Sequence, residues 1–232
     1  MATRVIDDSK LQNIAVAIQG KDNGGQMTVD EMPGRITSGM VSRSIVNEIL
    51  GHTVEDLINI NPSIIAEAAM SGCTSLKRII ISEGTISIKN RAFELCSSIE
   101  YIILPNTLMN IGSSAFGQSK FLYNCKYIKF QSSPSIIQYA FSGLVTGTDL
   151  IDFRGVHSSP TLSDANAFNG LSNTENNTRI VVDDDSVKAI FQSATNLSVY
   201  YNKIVTVAEF EAEKGENIDV YIHNLIGEIP NS

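Results

Sequence analysis

Positive charge is scarce in this chain: 17 Lys and Arg stand against 25 Asp and Glu, a formal charge of −8 over 232 residues. No stripe of Lys or Arg runs along it, so a phosphate backbone would find little to pair with, and the reading is no nucleic-acid partner. Cysteine is sparse too. Cys73, Cys96 and Cys125 make an odd count, which gives no disulfide framework. The three histidines, His52, His157 and His223, are scattered and offer no metal-spaced pair. No apolar run approaches the ~20 residues of a membrane-spanning helix, so membrane insertion is not expected. Residues 1–20 begin with polar and charged groups around an amphipathic stretch and show no secretory signal. Gly-rich phosphate loops and nucleophile elbows are missing. Carboxylates that lie close in sequence, Asp183 to Asp185 and Glu209, Glu211 and Glu213, read as a helix cap and a solvated face. The Asp triplet also lacks the regular ligand spacing of a calcium loop. These absences point away from catalysis, cofactors and metals.

What the chain has is repetition. Ala69-Met70, Ala92-Phe93, Ala115-Phe116, Ala140-Phe141 and Ala167-Phe168 recur at steps of 23, 23, 25 and 27 residues. Each pair is followed by a polar stretch and then a short apolar triplet: Ile79-Ile80-Ile81, Ile102-Ile103-Leu104, Ile128-Lys129-Phe130, Ile151-Asp152-Phe153 and Ile180-Val181-Val182. A period in the twenties implies units too small to bury their own apolar faces, which stack on one another instead. From each aromatic to the next strand the distance varies (9, 12, 10, 12), so insertions collect in the polar loops, such as Gly117 to Asn124 and Gly170 to Thr178.

Strand side chains alternate between faces, so the two ends of each triplet are read as pointing inward and the middle as pointing outward. The inward columns, Ile79, Ile102, Ile128, Ile151, Ile180 and Ile81, Leu104, Phe130, Phe153, Val182, are all apolar. The middle column, Ile80, Ile103, Lys129, Asp152, Val181, turns charged halfway along, which a buried column would not tolerate cheaply. The outward face is therefore the candidate binding surface. Tyr101 and Tyr127 should be neighbours on it, with Ile103, Lys129, Asp152 and Arg154 beside them; aromatic and aliphatic ranks of this kind are enriched at binding faces. The competing reading is that the amino-terminal segment or a second copy covers this face.

The residues Cys96-Ser97-Ser98-Ile99, Ile102-Ile103-Leu104-Pro105 and Ile111-Gly112-Ser113-Ser114-Ala115-Phe116 resemble the unit of the BspA-like class of bacterial leucine-rich repeats. The resemblance runs over residues 52–183, with a degenerate first unit and a fourth that has lost its Cys and Leu. It implies a non-catalytic fold used by many relatives for adhesion at a cell surface, by binding protein or surface glycan. At the amino terminus, Leu11 to Ile18, a Gly-rich link and Met27-Thr28-Val29-Asp30-Glu31-Met32-Pro33 resemble the first segment of phage and prophage tail-associated proteins. Val181 to Val187 with Ala194 to Leu197 resembles the strand–helix unit that closes such repeats, although relatives carry Pro at the place of Asp183 and Trp at that of Leu197.

The fold expected is mainly β with short helices and turns, a leucine-rich-repeat solenoid of about five units over residues 51–183. Residues 1–50 read as a small helical element for attachment or capping. Asp7, Asp8 or Ser9 can cap a helix with the face Leu11, Ile14, Ala15 and Ile18, and Thr28 with Glu31 makes a capping box. Ser42 to Gly51 is read as a helix or strand covering the first repeat. Residues 184–232 read as an acidic cap, since 183–232 hold 3 basic and 9 acidic groups. There Asp183 to Asp185 start a helix, Val205 to Glu213 add another, and Asp219 to Ile222 add a strand. Cys73 and Cys96 share a repeat position and read as small buried fillers, with a bridge between them left open. A purely structural, oligomeric building block without a ligand is the alternative to a recognition protein.

Overall fold

The computed structural model describes residues 56–60, 63–117, 125–143, 147–171 and 177–229. The helices read at residues 1–50, the cover at 42–51 and most of the two variable loops lie outside these residues.

Two parallel sheets run side by side along the repeats. The larger has seven strands, in the order β1 (Asp56–Ile60), β3 (Arg78–Ile81), β5 (Tyr101–Ile103), β7 (Tyr127–Lys129), β9 (Leu150–Asp152), β11 (Arg179–Val182) and β12 (Ile204–Thr206). The smaller has five, β2 (Ile64–Ile65), β4 (Ser87–Ile88), β6 (Asn110–Ile111), β8 (Ser135–Ile136) and β10 (Thr161–Leu162), again stacked in chain order. Each of the first five rungs contributes one strand to each sheet and closes with a turn that carries its Ala-Met or Ala-Phe pair. Register follows the repeat: Ile79 pairs with Ile102, Ile102 with Ile128, Ile128 with Ile151, and Ile151 with Ile180. Both inward columns lie in one continuous core, together with Ile88, Ile111, Ile136 and Leu162 from the small sheet.

The aromatics form a single file. Phe93 and Phe116 stack at 5.0 Å, Phe116 and Phe141 at 5.1 Å, and Phe141 and Phe168 at 5.2 Å, with interplanar angles of 6°, 10° and 11°. Backbone hydrogen bonds run beside them from rung to rung: Phe93 N to Ala115 O, Phe116 N to Ala140 O and Phe141 N to Ala167 O. Ala precedes each aromatic because the turn closes against the core there, and Ala92, Ala115, Ala140 and Ala167 are all fully buried. Tyr200 ends the file, edge-on to Phe168 at 6.2 Å with its hydroxyl donating to Ala165 O.

The turns hold a feature that the repeat pattern does not signal. Ala68, Arg91, Ser114 and Tyr139, each just before its pair, have φ between 53° and 60°, the left-handed region. Two residues after Met70, Phe93, Phe141 and Phe168 the backbone is left-handed as well. Glycine supplies it at Gly72, Gly143 and Gly170, but the equivalent in the second unit is Leu95, at φ 61°.

After β11 the chain closes the ladder with α1 (Asp185–Ser193), whose Asp184 cap accepts from Ser186 N and Val187 N. Val187 and Phe191 enter the main core. A 3-10 helix (Ser198–Lys203) leads to β12, then come α2 (Val207–Lys214) and α3 (Ile218–Ile226). This corrects the reading of the tail in two places. Val205 and Thr206 belong to a strand that extends the large sheet, and Thr206 caps α2 in a box with Glu209. Residues 219–222 form helix rather than strand: Asn217 caps them, and Ile218 and Ile222 are buried four apart on one face. No helix among the described residues is long and apolar enough to cross a membrane.

Candidate binding face

The face read as outward is covered. Alternation holds, since Tyr101, Ile103 and their column-mates stay out of the main core. They enter a second one instead, in which Ile80, Tyr101, Ile103, Tyr127, Leu150 and Val181 pack with Phe210 of α2 and Ile218 and Ile222 of α3. Tyr101 and Tyr127 are each only 1% exposed. The cover comes from the carboxy-terminal helices, a source that neither alternative of the sequence reading contained.

Asp152 is the residue on which that reading turned, and it is fully buried. The charge is tolerated because its partners are built into the same sheet. Tyr127 Oη donates to Asp152 Oδ2 at 2.7 Å, and Arg154 donates from its backbone N (2.9 Å) and Nε (3.1 Å) to Oδ1 and from Nη2 to Oδ2 (3.0 Å). Lys129 Nζ stands 3.9 Å from Oδ2. A carboxylate held by a guanidinium fork and a phenol keeps its lone pairs satisfied away from water. Tyr127 and Asp152 sit on adjacent strands at offset positions, while Lys129 and Asp152 are directly paired. The repeat thus brings Tyr127, Lys129, Asp152 and Arg154 into one cluster, with Tyr101 and Ile103 in register next to it on β5.

Burial, then the Asp152 charge and hydrogen bond, hold the Tyr127 phenol well above its usual range. Burial disfavours the Arg154 cation, but bonding to Asp152 and Asp219 outweighs it and keeps the guanidinium charged. Arg154 also reaches out of the face: Nη1 donates to Asp219 Oδ1 of α3 at 2.8 Å. Two further pairs fasten α2, Arg179 Nε to Glu213 at 2.8 Å and Lys188 Nζ to Glu209 at 2.6 Å.

Among the described residues no group of three or more His, Cys, Asp and Glu side chains is arranged to hold a metal ion. The acidic triplet serves structure, with Asp184 capping α1 and Asp183 Oδ2 accepting from Gly155 N. All three cysteines are buried thiols; Cys96 donates to Met70 O at 3.1 Å, and burial pushes the Cys125 thiol up to about 12.

The small sheet presents a different surface. Ile64, Ile86, Met109 and Ile137 are 37–63% exposed on four successive rungs. Met109 N bonds Ile86 O, and Ser135 N bonds Met109 O, so the rungs that carry them are direct neighbours. Sequence reasoning, which looked for the site on the triplet strands, did not single these out. It also missed α3, although Asn217 ahead of Ile218, Ile222, Leu225 and Ile226 is a cap followed by helical spacing.

No curated protein and no solved structure matches the chain. The model of the BspA type leucine rich repeat region, in six copies, matches residues 56–175, the span occupied by the rungs. With the stacked parallel strands, the in-register apolar columns and the Phe file on the same residues, the chain belongs to the BspA-type leucine-rich repeat family.

Proposed function

We propose that the chain is a non-catalytic recognition module, a leucine-rich-repeat solenoid that binds protein or surface glycan as part of a phage or prophage tail or of a bacterial surface. Leucine-rich repeats in general serve protein binding, and the observation that carries the reading for this chain is the exposure of Ile64, Ile86, Met109 and Ile137, in or beside the small-sheet strands of four successive rungs. Large apolar side chains left in water on each of four neighbouring rungs are a feature that marks interaction sites. The amino-terminal pattern Leu11 to Ile18 and Met27 to Pro33 supports attachment of residues 1–50 to a larger assembly.

The test is binding of the full chain to bacterial envelope preparations, untreated, protease-treated and periodate-treated. Loss after protease identifies a protein ligand, and loss after periodate identifies a glycan. Met109→Glu should weaken binding at least tenfold with the fold intact. Absence of binding to every preparation, together with self-association in solution, would replace the recognition role with a structural one.

A further inference from the structure

The cover on the large sheet is made of two parts with different attachments. α2 is fixed: its capping box joins it to β12, and Glu213 and Glu209 pair with Arg179 and Lys188. α3 follows a three-residue link, Gly215 to Asn217, in which Gly215 is left-handed at φ 74°. Its polar tie to the sheet is Arg154–Asp219, and the Asp219 side chain is 75% exposed. Beyond that tie, it lies on the face through Ile218 and Ile222, with Tyr221, Leu225 and Ile226 partly buried around them, and it is joined to α2 at its first turn, where Ile218 N and Asn217 Nδ2 donate to Glu211, and by Tyr221 edge-on to Phe210.

The polar network beneath does not depend on α3, although lifting the helix exposes the apolar residues that it covers. Asp152 takes its hydrogen bonds from Tyr127 and Arg154, both on the sheet side, so lifting the helix leaves no buried charge unpaired. The strands are bonded to one another and packed on the main core from behind. Lys129, Arg154 and Arg179 stand along the face with 30%, 19% and 22% of their side chains exposed, a cationic rim facing the acidic carboxy-terminal stretch.

We infer that the outer face of the large sheet is a receptor surface for an amphipathic helix with an acidic first turn, and that α3 occupies it as an internal ligand. The partner is a protein helix that repeats the α3 pattern: apolar residues at i, i+4, i+7 and i+8, and a carboxylate beside the first of them to meet Arg154. Such helix-in-groove docking reads anchors at those spacings. A partner gains the face by displacing α3, and the cost of displacement lowers its apparent affinity until α3 is released. This deepens the reading of the chain as a binding module by giving it a second, self-occupied surface.

The experiment uses the full chain and a fluorescent peptide of residues 216–229, so that it stands apart from any envelope ligand. Hydrogen exchange of the wild type should show amides of 218–226 exchanging at least tenfold faster than those of β5, β7 and β9. Exchange of α3 and the strands in one common event would overturn the proposal, whatever the variants do. In Ile222→Asp, and in Asp219→Arg as the milder variant, α3 should lose protection while the strands keep theirs. The peptide should then bind each variant at least tenfold more tightly than it binds the wild type. A released α3 with no gain in peptide binding, or loss of strand protection in both variants, also overturns it. Failure to bind envelope preparations with success here would remove the small-sheet patch as a ligand site and leave this face standing.

Discussion

Tyr127 donates a 2.7 Å hydrogen bond to Asp152 from within a layer that α2 and α3 close off from water. The pair helps to explain how a carboxylate can occupy this buried repeat column: its partners come from the adjacent rung and from Arg154, two residues on in the turn after β9. Breaking it should be expensive. Arg154→Ala leaves the Asp152 carboxylate buried with the phenol, the backbone N of residue 154 and a distant Lys129 but no guanidinium, and should cost about 3–5 kcal/mol by urea unfolding. Tyr127→Phe removes one bond to a charged group and should cost about 1.5–3 kcal/mol. Losses under 1 kcal/mol for both would mean that water reaches the site.

Alkaline pH should destabilise the protein. Burial and the Asp152 charge raise the Tyr127 phenol, and burial raises Tyr200 to about 12 and Cys125 to about 12. In the unfolded chain these groups ionise near their ordinary values of about 10 for Tyr and about 8.5 for Cys. Above those values the unfolded state sheds protons that the native state keeps, so this stabilisation is whole below about pH 8.5 and falls as pH rises. Urea midpoints at pH 8, 9.5 and 11 should decline in order, and Tyr127→Phe should flatten the decline above pH 10. An unchanged slope in that variant would take Tyr127 out of the account.

The cysteines should be silent to thiol reagents. Each is at most 5% exposed and Cys125 is held in its protonated form by burial, so the thiolate that reacts is not formed near neutral pH. Ellman's reagent should titrate no thiol in the native protein and three after denaturation without reductant. Fewer than three would reveal a bridge.

Leu95 and Gly112 test the turns. Leu95 holds a left-handed φ where the sister positions carry Gly72, Gly143 and Gly170. A non-glycine residue there costs about 1 kcal/mol, so Leu95→Gly should raise Tm by about 2 °C while Leu95→Ala does not. Gly112 is glycine for lack of room: a Cβ would lie 2.5 Å from Asn90 N on the neighbouring rung. Gly112→Ala should lower Tm by several degrees, and tolerance of it would mean that the rungs are spaced more widely than described.

The rungs were legible because their physics is periodic. Inward columns such as Ile79 to Ile180 need apolar residues at every step, and an Ala-Met or Ala-Phe pair marks every turn, so both leave a trace in the sequence. What covers the rungs has no period. Asp152 read as solvent-facing because a column that turns charged at Lys129 and Asp152 argues for water, and only the fold brings Tyr127 and Arg154 to it. The stretch from Asp219 to Ile222 reads as a strand over four residues; the helix shows only when Asn217 and Leu225 are taken with it. The left-handed turns at Ala68, Arg91, Ser114 and Tyr139 carry no glycine and so give no local sign.

The stacked ladder itself is tested most directly by ring-to-ring NOEs in a sample with isotope-labelled phenylalanine. Contacts should join Phe93 to Phe116, Phe116 to Phe141 and Phe141 to Phe168, at the 5.0–5.2 Å centroid spacings of one file. Contacts that skip a rung, such as Phe93 to Phe141, or the absence of a phenylalanine neighbour for any of these four rings, would contradict it.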